Sequence, residues 1–152
     1  MEIGGNMYYF SENSKKKLKG VHPQLVDFAK ELISLSPYDF RIVEGVRTLE
    51  TQKKYYTWGR TVFVNDWGQK VTKPVTGCDG IKYLSQHQIQ SDGYSHAFDM
   101  AFIGKTQAEV YDIKKFTALA KVARPLMKKY GIEWGGDWIK YQDRPHWQLS
   151  KI

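Results

Sequence analysis

Residues 60–95 constrain the fold most, because they contain repeated Gly, Asn and Asp and show little hydrophobic periodicity. We interpret them as a long loop region with brief strands near residues 62–64 and 71–75. Loops of this length in compact domains are usually functional or disordered. The regular elements of the fold must therefore come from the segments on either side.

The flanking segments combine helical and strand-like patterns. Apolar residues at helical spacing predict helices over about residues 23–36 and over residues 113–130, where Pro125 is expected to kink or split the helix. Thr48 is placed to cap a further helix. The other predicted elements are strands near residues 40–43 and 96–103, two strands between residues 132 and 149, and a short helix capped by Ser11 or Ser14. One α+β domain over residues 1–152 is the simplest fold that contains them.

The charge and the cysteine content of the chain limit its possible binding partners and the cellular compartment in which it is made. The formal net charge of +7 and the pI of about 9.4 favour a polyanionic partner, which can be nucleic acid, anionic lipid or an anionic cell-wall polymer. Cys78 is the only cysteine, so it cannot form an intramolecular disulfide, and we interpret it as a buried thiol. The sequence has no signal-peptide pattern at its start and no run near the ~20 apolar residues of a membrane span. We expect synthesis in a cytosol and no stable membrane insertion.

Two histidines and two aspartates from separate segments form a candidate hydrolytic site. Imidazole and carboxylate groups suit zinc, which in hydrolytic sites takes three protein ligands and leaves a fourth position for water. A free carboxylate must then accept the water's proton, and Asp143 lies three residues before the candidate ligand His146. Taken singly, however, each such residue is more often a structural hydrogen-bonding group than a metal ligand.

Short motifs in a fixed order support the catalytic interpretation. They are Ser85-Gln86-His87, Ala97-Phe98-Asp99, Asp143-Arg144-Pro145-His146, the Trp-Gly-Gly-Asp-Trp of residues 134–138, Gly20-Val21-His22-Pro23 and Glu44-Gly45-Val46-Arg47-Thr48. Together they resemble the D-Ala-D-Ala and L-alanyl-D-glutamate zinc peptidase superfamily, and most of all its single-domain phage endolysins. This resemblance implies a small, mainly antiparallel sheet with flanking helices, like the fold shared by hedgehog proteins and D-Ala-D-Ala peptidases.

The resemblance also implies a role for each matching residue. The implied zinc ligands are His87, Asp99 and His146; the general base is Asp143; the cation that stabilises the oxyanion is Arg47; and the substrate-side residues are Ser85, His96 and Asp137. A permanently charged, planar guanidinium suits the role given to Arg47. Three tryptophans, Trp134, Trp138 and Trp147, are left with two interpretations, since they can stack on glycan or fill the core.

The sequence departs from the family pattern between the first two proposed ligands. Residues 89–93 are an insertion between His87 and Asp99, so either His87 or His96 is the first ligand. In a regular strand, residues separated by three positions point to opposite faces, which places His96 and Asp99 apart. We therefore predict that His87 binds the metal and that His96 is a neighbouring or substrate contact.

These inferences lead to one main functional hypothesis and two alternatives. The main hypothesis is a zinc-dependent endolysin, monomeric and without a nucleic-acid partner, that cuts the L-alanyl-D-glutamate bond of peptidoglycan stem peptides. It is expected to remain in the host cytoplasm until it reaches the wall through a holin-type pore. The alternatives are a D-alanyl-D-alanine carboxypeptidase or dipeptidase with the same centre, and a non-catalytic basic module that binds cell wall or nucleic acid.

Overall fold

The computed structural model describes residues 7–150. In chain order, its helices and strands are α1 (Glu12–Lys17), α2 (Pro23–Leu35), β1 (Phe40–Glu44), α3 (Leu49–Thr57), β2 (Ala97–Phe102), α4 (Gln107–Val110), α5 (Ile113–Tyr130), β3 (Ile132–Trp134) and β4 (His146–Leu149). A single 3-10 turn, Gly135–Asp137, follows β3. The α+β class is confirmed. Within residues 7–150, none of the helices combines the length and apolar character that crossing a bilayer requires.

The four strands form one antiparallel sheet in the order β1-β2-β4-β3. Side chains alternate between the two faces of a strand, and β2 shows this clearly. Its residues Phe98, Met100 and Phe102 belong to the hydrophobic core, whereas Asp99 points to the other face. The sheet therefore has an apolar face, which packs against helices, and a polar face, which is free to carry chemistry.

Helices α2 and α5 pack against each other and contribute to the core on the apolar face of the sheet. The apolar positions that predicted α2 are all buried: Leu25, Phe28, Ala29, Leu32 and Ile33. Phe28 contacts Phe98 on β2 and Trp147 on β4, with ring centroids 6.5 and 5.7 Å apart. Burial of such large apolar side chains supplies most of the driving force for folding and fixes which face of the sheet remains polar.

The ends of the main helices follow the capping residues in the sequence. Asp112 accepts hydrogen bonds from the backbone N–H groups of Lys114 and Lys115 at the start of α5. Gly131 ends this helix in the left-handed conformation, with φ of +68°, which glycine adopts without steric cost. Between these caps α5 is one helix, so Pro125 does not split it.

Residues 58–96 connect α3 to β2 with little regular structure, as predicted. Of the brief strands expected near residues 62–64 and 71–75, the first occurs only as isolated bridges of Val62 with Trp58 and of Val64 with Lys70, and residues 71–75 form neither a strand nor a bridge. The bridge between Val64 and Lys70 closes a small hairpin over residues 62–71. In the later part of the connection, residues 75–78 and 84–87 line a cleft together with His146 and Gln148 of β4 on the polar face of the sheet.

Candidate active site

Asp99 and His146 face each other across neighbouring strands. They are paired in the register of β2 and β4, which brings their side chains together on the polar face. Nδ1 of His146 lies 3.1 Å from Oδ1 of Asp99. Two of the residues predicted to bind a metal are thus placed by strand pairing alone.

His87 reaches the same point from the long connection. Its segment is held between two parts of the chain, because the backbone N–H of Arg47 donates to the His87 carbonyl and that of His96 donates to the Gln86 carbonyl, both at 2.8 Å. Nε2 of His87 lies 3.2 Å from Oδ1 of Asp99. The insertion at residues 89–93 therefore does not prevent His87 from meeting Asp99 and His146.

A hydrogen bond on the far side of each ring orients the two histidines. Nδ1 of His87 donates to the carbonyl oxygen of Gly45 at 2.8 Å, which leaves the lone pair on Nε2. In His146 the roles are reversed: Nε2 donates to Oε1 of Gln148 at 2.7 Å, which leaves the lone pair on Nδ1. Both lone pairs are thus directed toward Asp99. Acceptors in this position are typical of metal-ligating histidines.

The three side chains fit a metal ion. One ligand atom from each of His87, Asp99 and His146 lies within 4.8 Å of the other two. With metal–ligand bonds of ~2.1 Å, a tetrahedral site has ligand atoms about 3.4 Å apart, close to the observed separations from Asp99. Nε2 of His87 is buried and has no hydrogen-bond partner among the described residues, which is costly unless another group binds it.

The pKa values of the two carboxyl groups at the site, Asp99 and Asp143, shift in opposite directions. Burial alone would raise the pKa of the Asp99 carboxyl, but the adjacent imidazoles of His87 and His146 hold it well below its ordinary value. Burial, assisted by the charge of Asp99, raises the pKa of Asp143 to about 6. The two carboxyl groups therefore have different tendencies to hold a proton, as paired catalytic carboxylates often do.

Asp143 is positioned by the Trp-Gly-Gly-Asp-Trp motif. Its backbone N–H donates to the Gly135 carbonyl at 3.0 Å. A Cβ at position 135 would lie 2.2 Å from the Asp143 carbonyl oxygen, so only glycine allows this approach. The motif therefore fixes the backbone that presents Asp143 to the cleft.

Arg47 is held rigidly at the cleft wall. Its Nε and Nη2 donate to the Glu44 carboxylate, and Nη1 donates to Oε1 of Gln52 at 2.9 Å. The guanidinium also lies over the Tyr55 ring, 4.7 Å from its centroid. Burial lowers the pKa of Arg47, but the bonds and charge of Glu44 outweigh it and raise that pKa. Of the five N–H groups of an arginine, these bonds leave one on each Nη nitrogen for a substrate.

A cleft of about 420 Å³ contains most of the predicted residues. Of the residues predicted to bind the metal or to take part in catalysis, Arg47, His87, Asp143 and His146 line it. Its other walls are formed by Tyr55, Val75, Thr76, Gly77, Cys78, Leu84, Ser85, Gln86, Glu133, Trp138, Tyr141 and Gln148. Ser85 is buried, and its hydroxyl accepts a hydrogen bond from the His87 backbone N–H. Cys78, which we interpreted as a buried thiol, is instead partly exposed in the cleft wall.

Two predicted substrate contacts lie elsewhere. His96 is not among the residues lining the cleft, and its Nε2 is 2.7 Å from Oδ2 of Asp92 in the insertion. Asp137 pairs with Arg124 of α5 at 2.5 and 2.8 Å, and these hydrogen bonds lower the pKa of its carboxyl. Both side chains are therefore engaged in contacts outside the cleft.

Of the three tryptophans singled out in the sequence, two belong to the core. Trp134 and Trp147 stack on each other, with centroids 5.4 Å apart, and both are buried. Trp138 lines the cleft, and its Nε1 donates to Glu133 at 2.7 Å.

Comparison with known proteins agrees with this geometry. Residues 6–148 match the family described as phage L-alanyl-D-glutamate peptidase. The chain belongs to this family. It is therefore a hydrolytic enzyme, and the resemblance read from its motifs is confirmed.

Three similar proteins are named as L-alanyl-D-glutamate peptidases or endopeptidases. The L-alanyl-D-glutamate peptidase of Escherichia phage T5 is 30% identical over 133 residues, which cover 86% of this chain and 82% of the phage protein. The peptidoglycan L-alanyl-D-glutamate endopeptidase CwlK of Bacillus subtilis (strain 168) is 28% identical over 134 residues, covering 85% of this chain and 73% of that protein. The crystal structure of Serratia marcescens L-Ala D-Glu endopeptidase ChiX superposes with a TM-score of 0.66 at 24% identity, covering 95% of this chain and 91% of ChiX, which shows a common fold.

Sequence reasoning missed several residues that organise the site. Glu44, which holds Arg47, occupies the polar face because a bulge between Ile42 and Glu44 shifts the register and pairs Glu44 with Asp99. Gln148 lies two residues after His146 on the same strand, so alternation was the available signal for its position. The role of Gln52 could not be predicted from neighbouring residues in the sequence, because it bonds Arg47 and the distant residues Thr76 and Cys78.

Proposed function

We propose that this peptidase is a zinc-dependent endolysin that hydrolyses the L-alanyl-D-glutamate bond of peptidoglycan stem peptides. The observation that carries the proposal is the convergence of His87, Asp99 and His146 around one point in a chain of the phage L-alanyl-D-glutamate peptidase family. The proposal treats residues 1–152 as one catalytic domain that acts as a monomer.

The metal would be held by Nε2 of His87, Oδ1 of Asp99 and Nδ1 of His146. Zinc suits this donor set of two imidazoles and one carboxylate, because it accepts nitrogen and oxygen ligands and needs only three from the protein in a hydrolytic site. When bound, it would supply Lewis-acid chemistry, lowering the pKa of a water and polarising the peptide carbonyl. Gly45 and Gln148 hold the two rings in the tautomers that binding requires.

Asp143 is the general base in this proposal. It lines the cleft beside His146 and is not one of the three converging ligands. A carboxylate in this position accepts the proton of the attacking water and can then deliver it to the leaving amine of D-glutamate. Burial and the charge of Asp99 make Asp143 a better proton acceptor than an exposed aspartate.

Arg47 supplies fixed positive charge near the reacting carbonyl. Its contacts with Glu44, Gln52 and Tyr55 restrain the guanidinium before substrate arrives. A pre-oriented cation in a partly buried site stabilises a developing oxyanion without reorganising during the reaction. Ser85, at the cleft wall, would contact the substrate backbone.

The proposed setting is the bacterial cell wall. The related proteins are named as phage and peptidoglycan peptidases, and a net charge of +7 suits an anionic envelope. Synthesis in the host cytoplasm followed by release through a holin-type pore is part of the proposal.

Digestion of purified sacculi tests the function directly. The full chain, with and without a chelator, is incubated with sacculi, and new peptide termini are identified by mass spectrometry. We expect new N-terminal D-glutamate, complete loss of cleavage with chelator, and recovery on addition of zinc. Release of free D-alanine would favour the carboxypeptidase alternative, and binding without cleavage would favour the non-catalytic one. Full cleavage by metal-stripped protein would contradict the zinc mechanism.

A further inference from the structure

The hairpin of residues 62–71 exposes four large apolar side chains, those of Val62, Phe63, Val64 and Trp67. The backbone N–H of Val71 donates to Phe63 at 2.8 Å, and that of Asn65 donates to Gln69 at 2.9 Å, which closes the hairpin. Phe63 and Trp67 are nevertheless 50% and 71% exposed. Clustered apolar side chains at a surface often mark an interaction site. We call residues 62–71 the aromatic hairpin.

A row of aromatic rings connects the aromatic hairpin to the cleft. Trp67 meets the edge of Trp58 at 6.0 Å between centroids, and Trp58 packs on Tyr55 at 4.7 Å. Tyr55 lines the cleft and lies under the guanidinium of Arg47. The pair between Lys54 and Asp66, at 2.5 Å, fixes the hairpin to the same helix that carries Tyr55. Trp67 is thus two ring contacts away from Tyr55 in the cleft wall.

The proposed chemistry indicates which half of the substrate lies on this side. The leaving amine of D-glutamate receives its proton from Asp143, which follows β3 in the chain and is bonded to Gly135. Arg47 and Tyr55 follow β1, and the strand order places β1 and β3 at opposite edges of the sheet, with both strands bearing metal ligands between them. The D-glutamyl half therefore lies toward Asp143, and the L-alanyl half lies toward Tyr55.

The L-alanyl half leads directly to the glycan. In peptidoglycan, L-alanine is joined through a lactyl group to an N-acetylated amino sugar, so a sugar must lie close to the scissile bond on the Tyr55 side. Sugar rings and N-acetyl methyl groups present uncharged, partly apolar faces. The indole of Trp67 offers a large apolar face with one polar N–H, which matches that chemistry.

We propose that Trp67 and Phe63 of the aromatic hairpin bind the glycan strand that carries the stem peptide. This inference rests on the proposed function, because it uses the direction in which the stem peptide crosses the cleft. The hairpin then acts as a specificity element: it favours stem peptides that are still attached to glycan over free stem peptides.

Two soluble substrates with the same scissile bond test this specificity. One is a free stem tetrapeptide, and the other is the same tetrapeptide attached to its disaccharide. Trp67→Ala should lower kcat/KM about tenfold on the disaccharide peptide, as expected for loss of an aromatic contact, and leave the free tetrapeptide unchanged. Phe63→Ala should show the same pattern more weakly. Tyr9→Ala is the matched control, because Tyr9 is 74% exposed but lies outside the cleft lining.

A binding measurement separates this proposal from the peptidase function. Peptide-free glycan strands should bind the wild-type chain and the Tyr9→Ala variant, and bind Trp67→Ala much more weakly. Equal binding by all three proteins would overturn the proposal, as would an equal loss of cleavage on both peptide substrates. If the wild-type enzyme cleaves neither peptide but binds the glycan, and Trp67→Ala binds it much more weakly, the proposed function fails and the glycan site stands.

Discussion

At the scale of single residues, the candidate metal site depends on groups outside the set of His87, Asp99 and His146. The carbonyl of Gly45 and the amide of Gln148 each accept the proton of one imidazole and so decide which nitrogen is free. A Cβ at position 45 would lie 2.2 Å from the Lys17 carbonyl oxygen, so glycine is required where the Gly45 carbonyl approaches His87. These two contacts therefore orient the imidazoles of His87 and His146 for the proposed metal.

His87 and His96 give opposite expectations for metal binding. His87→Ala should lose most bound zinc, because its Nε2 is one of three converging ligand atoms. His96→Ala should retain zinc, since its ring pairs with Asp92 in the insertion. Zinc content of each purified variant, measured by elemental analysis, checks both expectations. Zinc retained only in His87→Ala would show that His96 is the ligand.

Asp143→Ala separates catalysis from metal binding. Removal of a general base should lower kcat by at least about 100-fold, while the three ligands and their zinc remain. Turnover of a soluble stem peptide and zinc content are measured on the same preparation. Loss of zinc from this variant would assign Asp143 to the ligand set instead.

Arg47→Lys should impair the enzyme although it conserves charge. Lysine has one nitrogen and cannot bond Glu44 and Gln52 while also reaching a substrate, so we expect a loss in kcat/KM of roughly 10- to 100-fold. Arg41→Lys is the control, because Arg41 is an exposed residue of β1. Similar kinetics for the two variants would remove Arg47 from the catalytic machinery.

At the scale of elements, α5 depends on its N-cap. Asp112 accepts hydrogen bonds from two backbone N–H groups that would otherwise be unsatisfied. Asp112→Ala should destabilise the protein by about 1 kcal/mol, which corresponds to a decrease of about 2–4 °C in Tm. Asp27→Ala, on an exposed position of α2, should change stability by less than about 0.5 kcal/mol. Thermal unfolding of both variants provides the measurement.

Helices that carry capping residues or regularly spaced apolar residues could be predicted from the sequence. The caps Thr48 and Gly131 and the apolar spacing of α2 predicted helix ends to within a residue or two. Pro125 was expected to kink or split α5, and the prediction of a split is wrong, because α5 runs through Pro125 although proline has no N–H to donate. The bulge that turns Glu44 toward Asp99 depends on pairing between distant strands, and no local pattern in the sequence reports it.

In the candidate site, too, residues in local motifs could be predicted from the sequence, whereas contacts between distant segments could not. His87, Asp99, His146, Asp143 and Arg47 were recognisable because they belong to short motifs. Gln52, by contrast, forms hydrogen bonds with Arg47 and with Thr76 and Cys78 in the loop between α3 and β2. Thr76 and Cys78 are too far from Gln52 in the sequence for local periodicity to predict these bonds.

At the scale of the whole molecule, excess positive charge should affect capture of the envelope more than bond cleavage. The net charge is +7, and attraction between exposed charges is screened when ionic strength rises. Added salt should therefore slow lysis of whole cells severalfold while cleavage of a short soluble stem peptide changes little. Turbidity loss and peptide turnover are measured over the same salt series. Equal slowing of the two reactions would exclude envelope charge as the cause.

The insertion at residues 89–93 offers a place for engineering. Its turn closes on itself, because Gln90 donates to the Tyr94 carbonyl at 2.9 Å and Gly93 turns with a φ of +88°. Ser91 is exposed and does not line the cleft, and the two ends of the turn are joined by an isolated antiparallel bridge between Ile89 and Ser95. We therefore expect a targeting peptide or an affinity tag grafted at Ser91 to be displayed on the enzyme surface and to leave His87, Asp99 and His146 in place.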